Sequence, residues 1–246
     1  MPQTTITSKP LAVQEDVLVI LFDIDGTLID SAGAGGAALL LALETEFGVT
    51  GALGVPLQGR TDLGILPELL LLNGIESSTE NFDRLCQRYF SLLPELLSQG
   101  RGRILPGVVA VLDCLRKISG CHVGLLTGNL PLSARMKLEY FGLWDSFEFG
   151  IFGDVAAHRP DLSTPAIAAI KNRSGQEVLS QRIILVGDTP LDVELAQAMQ
   201  ARCLAVCTGG FPAEQLMLAG ACRAVEDLSH TADIMDWFFQ PTEVCG

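Results

Sequence analysis

The sequence predicts an α/β protein in which a doubly wound parallel sheet carries an inserted, all-helical segment. Three observations predict it. Short, continuous apolar runs rich in β-branched residues recur along the chain, as expected for strands buried on both faces. Segments with helical periodicity separate most of these runs, so the chain alternates strand and helix. One long interval, residues 32–104, breaks this alternation and has a helical pattern throughout.

The predicted strands and helices follow one another in a regular order. The strand candidates cover residues 17–22, 121–126, near 147–152, 182–187 and 203–208. The helical patterns outside the long interval cover residues 108–118, 133–142, 164–173 and 189–200. Because a strand, a helix and a parallel strand connect by a right-handed crossover, this order predicts an open, Rossmann-like sheet with helices on both faces.

The interval at residues 32–104 predicts a separate helical domain, called the cap below. Three or four helices without a strand cannot form one crossover, because a crossover needs a single helix. The flanking stretches, SAGAGG at 31–36 and GRGRILPG at 100–107, supply glycines and a proline that suit hinges. We expect a core of residues 1–31 and 105–246 and a cap of residues 32–104, with an ordinary surface excursion as the alternative.

Composition and charge exclude several classes of protein. The chain has 246 residues, of which 48% are apolar and 18% charged, so it is not disordered and has the length for one large domain with an insert. A net charge of -13 disfavours nucleic acid and anionic membranes as partners. The longest apolar runs are interrupted, for example by Glu44 and Pro67, so no membrane span is expected.

The N-terminus and the cysteines bear on location. Residues 1–16 lack the apolar core of a secretion signal, and the seven cysteines include no C-x-x-C pair. We therefore expect a cytoplasmic protein with reduced thiols. The sequence leaves the oligomeric state open.

Side chains suited to catalysis follow three of the predicted strands. Ligands bind at the carboxyl ends of the strands in an open parallel sheet. The segment LFDIDGTLID places Asp23 and Asp25 two residues apart, on the same side of an extended chain. The segment RIILVGDTPLD places Asp188 at a strand end and Asp192 in the first turn of the next helix. The other candidates are Thr127, Gly128 and Asn129 after the second strand, and Arg159 before a later helix.

These carboxylates predict a site for a cation and a phosphate. Like charges this close cannot all stay ionised without a counter-charge. A hard divalent cation with oxygen ligands, for which we expect Mg²⁺, resolves the conflict and leaves room for a phosphate. With a phosphate dianion added, Mg²⁺ and Arg159 still leave the site negative, so we expect Asp25 to be protonated when substrate is bound. A neutral acid beside a leaving-group oxygen suits general-acid catalysis.

The order and spacing of these segments resemble the haloacid dehalogenase-like hydrolase superfamily. The resemblance rests on D-x-D-G-T-L from Asp23, T-G-N from Thr127 and G-D-T-P-x-D from Gly187, and it spans most of the chain, from residue 17 to about residue 210. The position of the insertion resembles the helical cap of the phosphoglycolate phosphatase and β-phosphoglucomutase group. Within the cap, GRTDLGI at 59–65 resembles the substrate-facing loop of that group, which makes Arg60 a substrate contact or, alternatively, a solvated arginine.

The resemblance implies a role for each matching residue. Asp23 would be the nucleophile that forms an aspartyl-phosphate, and Asp25 would protonate the leaving alcohol and then deprotonate water. Thr127 and the backbone N–H groups of Gly128 and Asn129 would hold phosphoryl oxygens.

The resemblance also implies a set of Mg²⁺ ligands. They are the side chains of Asp23 and Asp188 and the backbone carbonyl of Asp25. Asp192 would lie in or next to this set, or would instead stabilise the N-terminus of its helix without touching the metal.

One motif departs from the common pattern of the family. Where the family usually has lysine before proline, this chain has His158, Arg159 and Pro160. Arginine binds carboxylate and phosphate bidentately and keeps its proton, so we expect Arg159 to be the phosphate clamp. Lys137 is the alternative cation.

The sequence therefore predicts a Mg²⁺-dependent phosphatase that acts on a small phosphorylated metabolite, with phosphoglycolate as the first substrate to test. One alternative is a phosphomutase of the β-phosphoglucomutase type, which transfers the phosphoryl group from Asp23 to a different acceptor. Another is a non-catalytic protein that binds a phosphorylated ligand on the same fold. A true haloacid dehalogenase is disfavoured, because displacing an alkyl halide needs neither Asp25 nor a metal.

Overall fold

The computed structural model describes residues 17–240. Its strands are β1 (Leu18–Phe22), β2 (Ile29–Asp30), β3 (Arg103–Ile104), β4 (Cys121–Leu126), β5 (Phe149–Ile151), β6 (Ile183–Gly187), β7 (Arg202–Val206) and β8 (Arg223–Val225). Six of them form one sheet in the order β5-β4-β1-β6-β7-β8, and all of its neighbouring pairs are parallel. All five predicted strands are present, whereas β8 and the short strands β2 and β3 were not predicted.

The helices are α1 (Ala34–Phe47), α2 (Asp62–Leu72), α3 (Thr79–Gln99), α4 (Val108–Leu115), α5 (Pro131–Tyr140), α6 (Ser163–Ser174), α7 (Pro190–Ala198), α8 (Ala213–Leu218) and α9 (Thr231–Phe239). A short 3₁₀ turn, Arg159–Leu162, precedes α6. Helices α1 to α3 lie within residues 32–104, α4 to α7 correspond to the four helices predicted outside that interval, and α8 and α9 follow β7 and β8.

The side chains of β1 alternate between two apolar cores, one on each face of the sheet. Leu18, Ile20 and Phe22 lie in the core that includes α4, α5 and α9. Val19 and Leu21 lie in the core that includes α6, α7 and α8. Because strand side chains alternate with a period of two, a strand buried on both faces has to be apolar at every position. The predicted doubly wound α/β fold is confirmed.

Helices α1, α2 and α3 have an apolar core of their own. Leu43, Leu66 and Leu85 are among its fully buried members. The chain leaves the sheet region through β2 and returns through β3, and these two strands pair antiparallel, with Ile29 opposite Ile104. A two-stranded ribbon at the base of a helical unit is an arrangement compatible with a hinged cap. The division into core and cap stays a prediction.

Strand β1 lies between β4 and β6, so the chain builds the sheet first on one side of β1 and then on the other. The carboxyl ends of these three strands therefore flank the switch point, where open α/β sheets bind their ligands.

Three expectations concern membrane spans, secretion and the state of the cysteines. Among residues 17–240, no helix combines the length and the apolar composition needed to cross a membrane. The expectation about the N-terminal residues 1–16 lies outside the described part of the chain. The predicted thiols are free at Cys86, Cys114, Cys121, Cys203 and Cys207. The prediction is wrong at Cys222, which is disulfide-bonded, because sequence spacing does not show which sulfurs lie within bonding distance in space.

Candidate active site

The candidate site lies at the carboxyl ends of β1, β4 and β6. Asp23 follows β1, Thr127 follows β4 and Asp188 follows β6, and all three side chains are buried. The backbone N–H of Asp23 donates to the carbonyl of Val186 at 2.9 Å, so the sheet pairing continues up to the carboxylate. The structure thus places together polar residues that are up to 165 positions apart in the sequence.

Two glycines allow loops to close around Asp188. A Cβ on Gly26 would lie 2.5 Å from Asp188 Oδ2, and a Cβ on Gly209 would lie 1.6 Å from the same atom. Gly26 also has a φ of +84°, a conformation that side-chain-bearing residues rarely adopt. The turn after Asp25 is therefore built for a close approach to a carboxylate. The hydroxyl of Thr27 in the same turn donates to Asp188 Oδ1 at 2.9 Å.

Three carboxylates form one compact cluster. Each of Asp23, Asp188 and Asp192 offers an oxygen that lies within 4.8 Å of the others. Burial raises the pKa of Asp23 to about 6, although the Arg159 guanidinium opposes the shift. Burial, together with the charges of Asp192 and Asp23, raises the pKa of Asp188 well above its usual range. Ionising these buried, crowded carboxylates is unfavourable, and a divalent cation bound by their oxygens would compensate for their charge.

Arg159 lies against two of these carboxylates. Its Nη2 is 2.9 Å from Asp23 Oδ1, and it also donates to Asp192 Oδ1. Its Nη1 is 3.1 Å from the point that a Cβ on Gly128 would occupy, which directs that nitrogen toward the loop after β4. Arg159 Nε is buried and has no hydrogen-bond partner among the described residues. The structure thus places Arg159 beside Asp23, and its role as a phosphate clamp stays a prediction.

Asp192 uses both of its oxygens for contacts within the protein. Its Oδ2 accepts from the backbone N–H of Asp188 at 3.2 Å and from the N–H and hydroxyl of Thr189 at 3.0 and 2.8 Å. Its Oδ1 accepts from Arg159. The reciprocal contacts with Thr189 form a capping box at the start of α7. Because both oxygens already accept hydrogen bonds, this geometry favours a role in orienting Arg159 and the start of α7 over direct contact with a metal. The metal role of Asp192 stays a prediction.

Asp25 faces Lys137 rather than Arg159. Lys137 Nζ donates to Asp25 Oδ2 at 2.6 Å, and Asn129 Nδ2 donates to the same oxygen at 2.9 Å. Burial disfavours the charged carboxylate, but the Lys137 charge and the hydrogen bonds from Lys137, Asn129 and Ser31 outweigh it and lower the pKa of Asp25. The charge count made from the sequence left Lys137 out of the site. Protonation of Asp25 in the presence of substrate stays a prediction.

The loop after β4 is packed beneath the cap. Thr127 Oγ1 accepts from the backbone N–H of Asn129 at 3.3 Å and from its side-chain amide at 2.9 Å. A Cβ on Gly128 would lie 1.9 Å from the carbonyl oxygen of Arg60, so this position has room for glycine and for no larger residue. Arg60 itself donates to the carbonyl of Pro56 at 3.1 Å and pairs with Glu68. Its role as a substrate contact therefore stays a prediction.

Asp62 is a site residue that the sequence analysis did not single out. Its N–H donates to the carbonyl of Gly128 at 2.7 Å, and its Oδ2 accepts from the N–H of Leu130 at 2.7 Å. Burial raises its pKa to about 6. Asp62 belongs to the segment GRTDLGI, which the sequence already indicated as a substrate-facing loop. An aspartate in the first turn of a helix is, however, ordinarily interpreted as stabilising that turn. Its partners are about 70 positions away and are visible in the structure alone.

Most of these residues line a cavity of about 460 Å³ between the sheet edge and the cap helices, and Asp192 is not among them. Asp23, Asp188 and Arg159 lie on its wall, and Asp25 and Lys137 also line it. The glycines and Leu39 of α1 and Tyr89 of α3 contribute cap residues to the lining. The cavity therefore has the size of a small-molecule site and a high density of charge.

Known proteins resemble this chain over most of its length. The family model described as haloacid dehalogenase-like hydrolase matches residues 20–197. The probable phosphatase IndB of Dickeya dadantii is 27% identical over 211 residues, which is 82% of this chain and 86% of that protein. A phosphoglycolate phosphatase of Agrobacterium fabrum is 27% identical over 198 residues, or 78% and 79% of the two chains. The crystal structure of CbbY from Rhodobacter sphaeroides in complex with phosphate superposes with a TM-score of 0.69 at 16% identity, covering 87% of this chain and 95% of that one.

Proposed function

Because this chain belongs to the haloacid dehalogenase-like hydrolases, we propose that it is a Mg²⁺-dependent phosphatase that hydrolyses a small phosphomonoester through phosphorylated Asp23. The observation that carries the proposal is the arrangement of Asp23 and Asp25. Asp23 lies in the carboxylate cluster beside Arg159, while Asp25, two residues on, lies beside Lys137 in the same cavity. The two aspartates thus have different cationic partners, which suits Asp23 for the role of nucleophile and Asp25 for the role of general acid and base.

Asp23 would begin the reaction as the nucleophile. One of its carboxylate oxygens forms a bond to phosphorus while the bond between phosphorus and the leaving oxygen breaks. The electron pair of the broken bond goes to the leaving oxygen, which takes a proton from Asp25. The products of this step are a free alcohol and an aspartyl-phosphate.

Asp25 would then act as the base. A water oxygen forms a bond to phosphorus, gives a proton to Asp25 and displaces the Asp23 carboxylate. Inorganic phosphate leaves, and both aspartates return to their starting forms.

Arg159 and the loop after β4 would hold the transferring group. The guanidinium keeps its charge throughout, and its contact with Asp23 sets the direction of the attack. Thr127 and the N–H groups of Gly128 and Asn129 would bind phosphoryl oxygens as charge spreads over them.

The donor set fits a hard divalent cation. Asp23 and Asp188 offer carboxylate oxygens within one cluster, and the backbone carbonyl of Asp25 would complete the set. When bound, Mg²⁺ would neutralise charge on the phosphoryl oxygens.

The cap would exclude bulk water and select the leaving group. Residues 61–63 already bond to the core, since the hydroxyl of Thr61 donates to the carbonyl of Ala157 at 2.7 Å and the N–H of Leu63 donates to the carbonyl of Gly153 at 3.0 Å. We propose residues 32–104 as this cap. Phosphoglycolate is the first substrate to test, because several relatives at 27–28% identity are named phosphoglycolate phosphatase.

A phosphatase panel tests the proposal. Phosphate release from a set of small phosphomonoesters is measured with Mg²⁺ and with EDTA, for the wild type, for Asp23→Asn and for the surface control Asp113→Asn. We expect Mg²⁺-dependent release that is lost in Asp23→Asn and kept in Asp113→Asn. Release that persists in Asp23→Asn would exclude Asp23 as the nucleophile. Absence of release from every ester by the wild type would favour the mutase or the binding protein.

A further inference from the structure

Lys137 is a buried cation in a position that the proposed chemistry above does not use. It lies on α5, and its side chain is 6% exposed. Burying an ammonium group is unfavourable unless charged and polar partners compensate for the lost hydration. Its partners here are Asp25 and Asn129, two residues at the centre of the site.

The three side chains form a closed triangle of hydrogen bonds. Lys137 Nζ lies 2.6 Å from Asp25 Oδ2 and 2.6 Å from Asn129 Oδ1, and Asn129 Nδ2 lies 2.9 Å from the same Asp25 oxygen. Two donors thus hold one oxygen of the carboxyl group. The other oxygen, Oδ1, accepts only a long bond of 3.3 Å from the hydroxyl of Ser31 among the hydrogen bonds of the described residues. The triangle leaves Oδ1 as the oxygen able to exchange a proton.

The surroundings of Lys137 restrict its movement. Helix α1 approaches so closely that a Cβ on Gly35 would lie 3.3 Å from Lys137 Nζ, and the hydroxyl of Tyr89 is 3.7 Å from the same point. Asn129 is held in turn by its bond to Thr127 Oγ1 at 2.9 Å. The ammonium group is therefore enclosed by the cap on one side and by the loop after β4 on the other.

We infer that Lys137 is a positioning residue, which orients the Asp25 carboxyl so that Oδ1 faces the leaving oxygen. The inference rests on the proposed phosphatase function. It gives Lys137 a task separate from that of Arg159, which contacts Asp23. In the step concerned, the proton passes from Asp25 to the leaving oxygen as the bond from that oxygen to phosphorus breaks, and Lys137 gains or loses nothing.

The test uses two esters of similar size that differ in their need for an acid. 4-Nitrophenyl phosphate releases a stable phenolate and needs little protonation, whereas 4-nitrobenzyl phosphate releases an alkoxide and needs it. General acid and base catalysis contributes about 10²- to 10⁴-fold to enzymatic rates. We therefore expect Lys137→Met to lower kcat/KM by about 100-fold or more for the benzyl ester and by about tenfold or less for the phenyl ester.

A double-mutant cycle separates positioning from a general structural effect. In an Asp25→Asn background, Lys137→Met is expected to cause no further loss on the benzyl ester, because the group it orients is absent. Lys171→Met makes the same chemical change at an exposed lysine of α6, paired with Glu177, and should leave both rates unchanged. If circular dichroism shows that Lys137→Met does not fold, Lys137→Gln is the second variant. Its side chain is uncharged and one bond shorter than lysine but keeps two N–H donors, and it is expected to show the same selective loss.

The outcomes are distinguishable. Selective loss on the benzyl ester together with non-additivity supports the inference. Equal loss on the two esters, loss that adds fully to that of Asp25→Asn, or no loss would overturn it and leave the phosphatase proposal standing. Inactivity of the wild type on both esters would overturn the phosphatase proposal and the inference with it.

Discussion

Replacing Asp62 by asparagine should stabilise the protein at neutral pH. Asp62 is buried, and burial raises its pKa from 3.8 to about 6. Asparagine can still accept the hydrogen bond from the N–H of Leu130, which is 2.7 Å from Asp62 Oδ2. The substitution therefore removes the buried charge and keeps the contact between the cap and the loop after β4.

The pH dependence follows from the direction of the shift. Between pH 4 and 6 the folded protein holds a proton on Asp62 that the unfolded chain has released, so its stability falls as the pH rises through this window. A shift of about two pKa units corresponds to about 3 kcal/mol of unfolding free energy. Asp62→Asn should match the wild type near pH 4 and exceed it by about 3 kcal/mol at pH 7.

Urea unfolding followed by circular dichroism at pH 4, 5, 6 and 7 in EDTA measures this difference. The other titrating carboxylates are present in both proteins and cancel in the comparison. The control Asp113→Asn lies on the surface and should change the unfolding free energy by less than about 0.5 kcal/mol at every pH. A difference between Asp62→Asn and wild type that does not grow with pH would refute the assignment of a buried, destabilising carboxylate.

Three further predictions concern the same site. Arg159→Met leaves buried carboxylates without their cation and should lower the unfolding free energy by about 3–5 kcal/mol in urea at pH 7 with EDTA; a loss below about 1 kcal/mol would contradict the buried pairing. Gly128→Ala places a Cβ 1.9 Å from the carbonyl oxygen of Arg60 and should cost about 1–3 kcal/mol in thermal unfolding, together with a lower kcat/KM; wild-type values for both would show that the cap does not pack on this loop as described. Asp188→Ala should abolish Mg²⁺ binding in isothermal titration calorimetry while the protein stays folded, and an unchanged affinity would remove Asp188 from the ligand set.

Local sequence patterns were sufficient to predict most strands of the sheet and most of the residues at its carboxyl edge. Strand side chains alternate with a period of two, so continuous apolar runs indicated strands buried on both faces, and β1, β4, β6 and β7 follow. Because parallel strands end at the same edge, the residues directly after them had to meet. The sites of Asp23, Thr127 and Asp188 could be predicted in this way.

The two-stranded ribbon β2–β3 and strand β8 could not be predicted in this way. The ribbon has two residues in each strand, and β8 has three partly exposed ones, so neither carries a periodic pattern. Such elements form because other elements bring them together, as β2 and β3 are brought together where the chain leaves and re-enters the sheet region.

The sequence by itself determined the fold class and the two aspartates after β1, since these depend on periodicity and on short motifs. The tertiary structure alone decided which charges meet. Lys137 contacts Asp25 across 112 positions, and Asp62 binds the N–H of Leu130 across 68. The carboxylate oxygens of Asp192 accept hydrogen bonds from Arg159 and Thr189. The physical reason is that local periodicity assigns a residue to an element and a face, whereas contacts between elements depend on how helices and loops pack.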